Sequence, residues 1–167
     1  QAAWFDALQT LVPRRVDAWP VTVVEIDQKS LSALGQWPWP RTRLARLLLA
    51  TDRAAPAAVG VNILMPEADA LSPERVLART PIEDPAAAAA LQSLPSSDAV
   101  LAQALRDTGA VLVVAGTPEP TGMSLRAVPV TISAAPAGSE SAPAVPSYAG
   151  ALTSIDVLNQ HAAGWGL

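Results

Sequence analysis

Apolar residues recur along this chain in two patterns, as short continuous runs and as stripes at helical spacing. Continuous runs occupy residues 21–26, 58–64 and 110–115, and such runs are typical of strands covered on both faces of a parallel sheet. Leucines spaced for one helical face lie between the first two runs, within residues 40–54. A second helix, closed by Gly109, precedes the third run. The alternation predicts an α/β fold, with a central, mostly parallel sheet built from βαβ units.

The regions around this pattern have a different character. Residues 1–16 open with an amphipathic stretch that predicts an N-terminal helix, and residues 17–116 form the α/β core. Residues 117–150 are rich in Pro, Ala, Ser and Gly and predict an antiparallel edge strand followed by a mobile loop. Residues 151–167 predict a last helix and the beginning of a strand. We therefore expect one domain over residues 1–167, with its C-terminal part missing.

The segment Val21–Arg41 is the most distinctive part of the sequence. Asp27 follows the first predicted strand, and Gly35 closes a short helical turn. The next residues are Trp37, Pro38, Trp39 and Pro40. Each proline fixes its own φ and restricts the residue before it, so this segment is stiff and extended. Two roles are open for the indole rings, which either pack at the end of the core or stack on a ligand ring or sugar. We favour packing.

Composition and charge exclude several classes of function. A formal net charge of -4 and a pI near 4.8 argue against nucleic-acid binding, which depends on a basic surface. The chain has no Cys and one His, His161, so it offers neither a disulfide nor a thiolate metal site. We expect no metal and no cofactor. Because the chain begins with Gln1 and has no apolar run of about 20 residues, we expect an excised portion of a protein whose flanks could span a membrane.

Three stretches of the sequence together resemble one protein family. They read V-V-E-I-D-Q-K-S-L-S-A-L-G-Q-W-P-W-P-R, A-V-G-V-N-I-L-M-P-E-A-D and D-A-V-L-A-Q-A-L-R-D-T-G-A-V-L-V-V-A-G. In their order and spacing they are similar to the CHASE type two domain, an extracytoplasmic sensory domain associated with cyclases and histidine kinases. The similarity extends from Trp4 to Gly116, and its first stretch is the most specific.

The resemblance implies a periplasmic sensory input domain of a bacterial transmembrane signalling receptor. In that family a membrane helix precedes the domain, and further membrane helices lead to a cytoplasmic cyclase or kinase. We expect no catalysis by the domain itself and a small ligand or periplasmic partner as the signal, and a homodimer is compatible with the sequence. Asn62 and Met65 depart from the family pattern, which has Asp and often an aromatic residue at these positions.

Carboxylates gather just past the ends of the first two predicted strands, at the edge where open α/β sheets bind ligands. They are Glu25, Asp27, Glu67 and Asp69, with Arg41 as an opposing cation. One interpretation is a site for a cation, or for a cationic or hydroxyl-rich small molecule. The other interpretation is structural, with Asp27 as a helix N-cap and the remaining acids on a solvated loop. We favour the structural interpretation.

Two further functions stay open. Paired carboxylates at strand ends can bind Mg²⁺ and drive hydrolysis of small phosphate esters. Against this alternative, the sequence has no Gly-rich phosphate loop, no nucleophile elbow and no zinc-ligand spacing. The other alternative is a dimerisation module that binds no ligand, since the abundant alanines would allow helices to pack closely.

Overall fold

The chain divides into two compact units, residues 1–37 and residues 38–167. The computed structural model describes residues 4, 10, 11, 21–123 and 148–166. Of the predicted N-terminal helix, the three described residues are helical. Residues 124–147, which hold most of the predicted edge strand and loop, lie outside the described residues. The prediction of a single domain over the whole chain stays a prediction.

The first unit contains helix α1, Gln28–Leu34, with the ends that the sequence predicts. Asp27 is the N-cap, because its backbone is extended and its carboxylate accepts a hydrogen bond from Ser30 N at 2.8 Å. Gly35 ends the helix with a φ of 96°, a value that glycine adopts at little cost. Local capping rules are sufficient to explain this helix.

The buried strand predicted at residues 21–26 is wrong. These residues form no strand, and Val21, Val23 and Val24 are 72%, 82% and 57% exposed. A strand requires hydrogen bonds from a neighbouring strand, and none of the described strands pairs with this run. The apolar pattern therefore indicates a preference for burial, but no described strand is paired with this run.

The second unit holds five further helices within the described residues. They are α2 (Arg41–Asp52), α3 (Pro73–Arg79), α4 (Pro85–Gln92), α5 (Ser97–Thr108) and α6 (Asp156–Asn159). Proline at the first position starts α3 and α4, where the missing N–H costs nothing. Gly109 ends α5 in the left-handed conformation, as predicted. The sequence predicts the last helix over residues 154–163, and α6 is shorter than this prediction because it begins at Asp156 and ends at Asn159.

Two small sheets accompany these helices. Strands β1 (Gly60–Val61), β2 (Val111–Val113) and β5 (Gly164–Gly166) form a parallel sheet in the order β1-β2-β5. Strands β3 (Ala115–Thr117) and β4 (Gly150–Leu152) form a separate antiparallel pair. The α/β class and the parallel central sheet are confirmed. The described antiparallel strands form their own sheet instead of extending the central one, and β1 is shorter than the predicted run.

The core of the second unit includes the helix pair α2–α5, which makes the most extensive helix contact among the described elements. One side of β2 is buried, through Leu112 and the two flanking residues Ala110 and Val114, which alternate with it along the chain. The helices contribute Leu44, Ala45, Leu48, Leu101, Ala102, Ala104 and Leu105. This packing fixes α2 and α5 relative to each other, and it therefore positions the site described next.

Candidate functional site

The two helices of the core pair are capped by one loop, residues 66–72, which we call the capping loop. Asp69 Oδ2 accepts a hydrogen bond from Arg41 N, the first N–H of α2, at 2.8 Å. Ser72 Oγ accepts one from Ser97 N, the first N–H of α5, at 2.9 Å. Neither helix has a side-chain cap from its own N-cap residue. The first N–H groups of both helices have no acceptor within their own helix, and the side chains of the capping loop supply these acceptors.

The capping loop is itself held by a carboxylate of α5. Asp69 N donates to Asp98 Oδ2 at 3.0 Å, while Asp69 Oδ1 accepts from Leu71 N at 2.9 Å. Asp69 and Asp98 are 8% and 5% exposed. Burial of two carboxylates is costly unless hydrogen bonds and a counter-charge offset it. The hydrogen bonds come from the loop backbone, and the counter-charge comes from Arg41.

Arg41 supplies the positive charge between these acids. Its Nε lies 3.5 Å from Asp98 Oδ1, and the two side chains are 12% and 7% exposed. Its Nη2 donates to the backbone oxygen of Glu67 at 3.3 Å. We refer to Arg41, Asp69 and Asp98 as the Arg41 cluster. The cluster connects the start of α2, the capping loop and the first turn of α5.

The cluster is charged but incompletely hydrogen-bonded. Arg41 Nε and Asp98 Oδ1 are both buried and have no hydrogen-bond partner, so only their mutual attraction offsets the loss of water. Two carboxylates against one guanidinium leave a formal charge of about -1, which the positive N-terminal ends of α2 and α5 favour. The charges of the cluster are therefore offset by one another and by the positive ends of the two helices. This arrangement gives the cluster a structural role.

A second group of polar side chains ties α3 to the same place. Ser96 Oγ donates to Glu74 Oε1 at 2.9 Å and lies 3.3 Å from Ser72 Oγ. The hydrogen bond from the Ser72 side chain is the main reason why the pKa of Glu74 is lowered from its ordinary 4.5. In the first unit, the hydrogen bond from the Ser30 side chain similarly lowers the pKa of Asp27 from 3.8.

These two carboxylates predict the acid sensitivity of the chain. A carboxylate whose pKa is lower in the folded state stabilises the fold above its unfolded pKa, and that contribution is lost as the pH falls through the folded value. The free energy of unfolding is therefore expected to fall as the pH is lowered below about 4.5. Urea unfolding between pH about 6 and about 3 measures this decrease.

Glu74→Gln is expected to make that decrease less steep, because it removes one of the two groups. Glu83→Gln is the matched control, since Glu83 is exposed and makes no hydrogen bond or ion pair within the described part of the chain. Equal slopes for the Glu74 variant and the unmodified chain would contradict the assignment.

The structure brings together only part of the predicted acidic site. Arg41 and Asp69 are in contact through the Arg41 backbone N–H. Glu67 contributes its backbone oxygen, and its side chain is exposed. Glu25 and Asp27 are exposed residues of the first unit, where Asp27 caps α1. Binding of a ligand by these five residues stays a prediction.

Asp98 is the functional residue that sequence reasoning missed. The sequence Ser96-Ser97-Asp98 predicts a helix cap, and an acid in the first turn is expected there for the helix dipole alone. Nothing local distinguishes a buried first-turn acid from an exposed one. Its contact with Arg41 spans more than 50 residues of sequence, so only the tertiary fold reveals it.

The two tryptophans of the W-P-W-P segment differ in burial. Trp39 is 5% exposed, and its ring centroid lies 5.3 Å from Arg43 Cζ, a cation–π distance. Trp37 is 41% exposed. Packing thus describes Trp39 well, whereas Trp37 keeps a large part of its ring accessible. Pro38 is exposed and Pro40 is half-buried. The sequence predicts Pro40 at the first helical position, and it is instead the N-cap of α2, whose first residue is Arg41.

A shallow cavity of about 340 Å³, largely open to solvent, lies on the parallel sheet. It is lined by Gly60, Val61, Asn62, Val111, Leu112, Val113 and Gly166. Asn62 carries the only polar side chain in this lining. The lining residues Gly60 and Gly166 have free space where a Cβ would stand, so the wall is open at these two positions. The volume is at the lower end of the range for small-molecule sites.

Taken together, these features define an α/β domain with a buried ionic cluster at the starts of two helices and an open cavity on its parallel sheet. The described residues include no group of three or more His, Cys, Asp or Glu that could hold a metal ion, and no described helix is long and apolar enough to cross a membrane. The family model of the CHASE2 domain matches residues 1–163, and the chain belongs to this family of extracytoplasmic sensory domains of signalling receptors. Searches of curated proteins and of solved structures gave no significant match.

Proposed function

We propose that this domain is the periplasmic input module of a bacterial membrane-bound receptor and passes its signal to a cytoplasmic cyclase or kinase. Membership of the CHASE2 family supports the sensory role. The signal is a small ligand or a periplasmic partner, and the domain itself performs no catalysis. Membrane helices on either side of the domain tether it in the full-length receptor.

The Arg41 cluster is the observation that carries the mechanism. It fastens the start of α2 to α5, and α5 leads directly through Gly109 into β2 of the sheet. A displacement of residues 38–41 therefore acts on α5 and the sheet as well as on α2. In this proposal a ligand favours one arrangement of these elements over another, which is a shift between two populated states.

The cavity on the sheet supports a ligand of definite chemistry. Its side walls are Val61, Val111 and Val113, and Asn62 offers one amide for hydrogen bonds. These groups favour a small, largely apolar ligand with one polar group, because the lining offers apolar contacts and no charged partner. The cavity adjoins β2, so a bound ligand acts on the strand that follows α5.

A thermal-shift screen of small periplasmic metabolites tests this proposal. A ligand present at 100 times its Kd stabilises the fold by about 2.7 kcal/mol. For a domain of this size that gain raises Tm by about 5–10 °C. The same ligand is expected to change the cyclase or kinase output of the full-length receptor.

Val113→Trp fills the cavity and is expected to abolish the Tm shift. Leu94→Trp, at a residue that is 54% exposed, is the matched control and should keep the shift. The proposal is contradicted if every hit stabilises the Val113 variant as much as the unmodified chain, or if no hit changes receptor output.

The alternative of a metal-dependent hydrolase receives no support from the described residues. The acids that suggested it are engaged with Arg41 and backbone N–H groups, or lie exposed on separate segments.

A further inference from the structure

The two methionines of this chain lie in opposite surroundings. Met65 is 1% exposed, whereas Met123 is 40% exposed. Oxidation of a thioether to a sulfoxide requires that the oxidant reach the sulfur atom, so exposure decides which methionine reacts first. Met123 is therefore the accessible thioether of the chain.

The backbone of Met123 is tied to β4. Met123 N donates a hydrogen bond to Thr121 Oγ1 at 3.4 Å, and that hydroxyl donates to the backbone oxygen of Ala151. Gly122 makes the turn between Thr121 and Met123 with a φ of 70°, which glycine adopts at little cost. These contacts place Met123 beside β4.

The sulfur of Met123 lies next to a buried hydroxyl group. Met123 Sδ is 3.8 Å from Oγ1 of Thr153, the residue that follows β4, and Thr153 is 3% exposed. This hydroxyl has one proton, and a second acceptor, the backbone oxygen of Ser154, lies closer to Oγ1 at 3.0 Å. A thioether sulfur is a weak acceptor, so the proton is donated to the Ser154 oxygen while Met123 is reduced.

The same hydroxyl is part of a side-chain network that reaches the parallel sheet. Asn159 Nδ2 donates to Thr153 Oγ1 at 3.2 Å and to the backbone oxygen of Ser154 at 2.6 Å. Asn159 Oδ1 accepts a hydrogen bond from Trp165 Nε1 at 3.3 Å. We call Thr153, Asn159 and Trp165 the Asn159 network. It connects the end of β4 with α6 and β5.

Oxidation converts the weak acceptor beside Thr153 into a strong one, because a sulfoxide is polar and its oxygen is bonded to the sulfur that already lies there. We propose that Met123 is a site of reversible oxidation, and that its sulfoxide takes the Thr153 proton from the Ser154 oxygen. The Thr153 hydroxyl then rotates, and its lone pairs turn relative to Asn159 Nδ2. A reaction at an exposed atom thereby rearranges the Asn159 network.

The oxidant in this proposal is a peroxide. The Met123 sulfur attacks one peroxide oxygen, so an S–O bond forms and the O–O bond breaks. The departing oxygen takes up the proton of the transferred oxygen and leaves as water. The sulfur loses two electrons, the peroxide gains them, and a methionine sulfoxide reductase reverses the change.

Peptide mass spectrometry of the isolated chain after treatment with hydrogen peroxide tests the selectivity. Met123 is expected to gain oxygen at least about tenfold faster than Met65, because Met65 reacts only when the fold opens. Methionine sulfoxide reductases are expected to remove the added oxygen. Equal rates for the two methionines would overturn the proposal.

Proton–nitrogen correlation NMR tests the rearrangement. After oxidation, the side-chain amide of Asn159 and the indole N–H of Trp165 are expected to change their chemical shifts, because both belong to the network. The indole N–H of Trp39 is the internal control, since Trp39 immediately precedes α2 and is not a member of the network. Oxidised Met123 with unchanged Asn159 and Trp165 resonances would contradict the proposed rearrangement.

Met123→Leu is the matched control, because leucine is apolar, of similar size and unable to form a sulfoxide. Peroxide is expected to leave the Asn159 and Trp165 resonances of this variant in place, and shifts equal to those of the unmodified chain would refute the assignment to Met123. Thr153→Ser retains the hydroxyl and should keep the response, and loss of the response in this variant would count against the proposal.

Thr153→Val removes the hydroxyl and should lose the response while Met123 is still oxidised. A full response of the valine variant would show that oxidation does not act through Thr153. The leucine and serine variants decide the question if the valine variant does not fold. All of these measurements use the chain without a ligand, so they stand or fall independently of the proposed ligand site.

Discussion

Replacement of Trp39 by alanine is expected to lower the free energy of unfolding by about 3–5 kcal/mol, as truncation of large buried aromatic residues does. Trp39 is 5% exposed, immediately before α2, and Arg43 lies over its ring. The variant loses the buried ring, leaves a cavity and removes a cation–π contact. Urea unfolding followed by far-ultraviolet circular dichroism measures the change.

Trp37→Ala is the matched control, because it removes the same side chain two residues earlier. Trp37 is 41% exposed, so its truncation is expected to cost about 1 kcal/mol or less. The assignment is wrong if the two variants are destabilised equally. If Trp37→Ala leaves stability unchanged but removes the ligand response, the ring of Trp37 belongs to a binding surface rather than to the core.

Asp98→Ala is the second substitution with a large expected effect, a loss of about 3–5 kcal/mol. It leaves the guanidinium of Arg41 buried without its counter-charge, and it removes the acceptor for Asp69 N. The capping loop then loses its attachment to α5, so the starts of both core helices are weakened. Chemical unfolding measures the loss, and hydrogen exchange at the first turn of α2 locates it.

Asp107→Ala provides the control on the same helix. Asp107 is exposed and accepts a hydrogen bond from Gln103. Its replacement is expected to change stability by about 0.5 kcal/mol or less. A comparable loss for both variants would indicate that α5 responds to any removed acid, and the special role of Asp98 would be wrong.

The helices of this fold are largely predictable from sequence because their signals are local. Asp27 and Gly35 bound α1, proline starts α3 and α4, and Gly109 ends α5. Each boundary depends on the backbone preference of one residue. The α/β class, with its parallel sheet, was also predictable, because predicted helices alternate with apolar runs along the sequence.

Strand assignments failed where pairing decides the outcome. The run at residues 21–26 has a stronger apolar pattern than Gly164–Gly166, yet only the second is a strand of the described sheet. An apolar pattern reports a preference for burial, but a strand depends on which neighbour is available. That information lies in contacts distant in sequence.

Two residues of the Arg41 cluster were predictable from the sequence, and the third was not. Arg41 and Asp69 were identified because charged residues beside strand ends and helix starts are conspicuous in an apolar sequence. Their role was not determined by that position, because a solvent-exposed acid and a buried cap look the same in sequence. Asp98 completes the cluster from 29 residues beyond Asp69. Its partnership depends on the packing of α2 against α5.

The charges of the Arg41 cluster offset the cost of one another's burial. A double-mutant cycle of Arg41→Met and Asp98→Leu tests it most directly through the coupling free energy between the two residues. Because replacing both members of a buried pair is much less costly than removing one, we expect the double variant to recover at least about 2 kcal/mol relative to the sum of the single changes. Losses that add to within about 0.5 kcal/mol would contradict the claim.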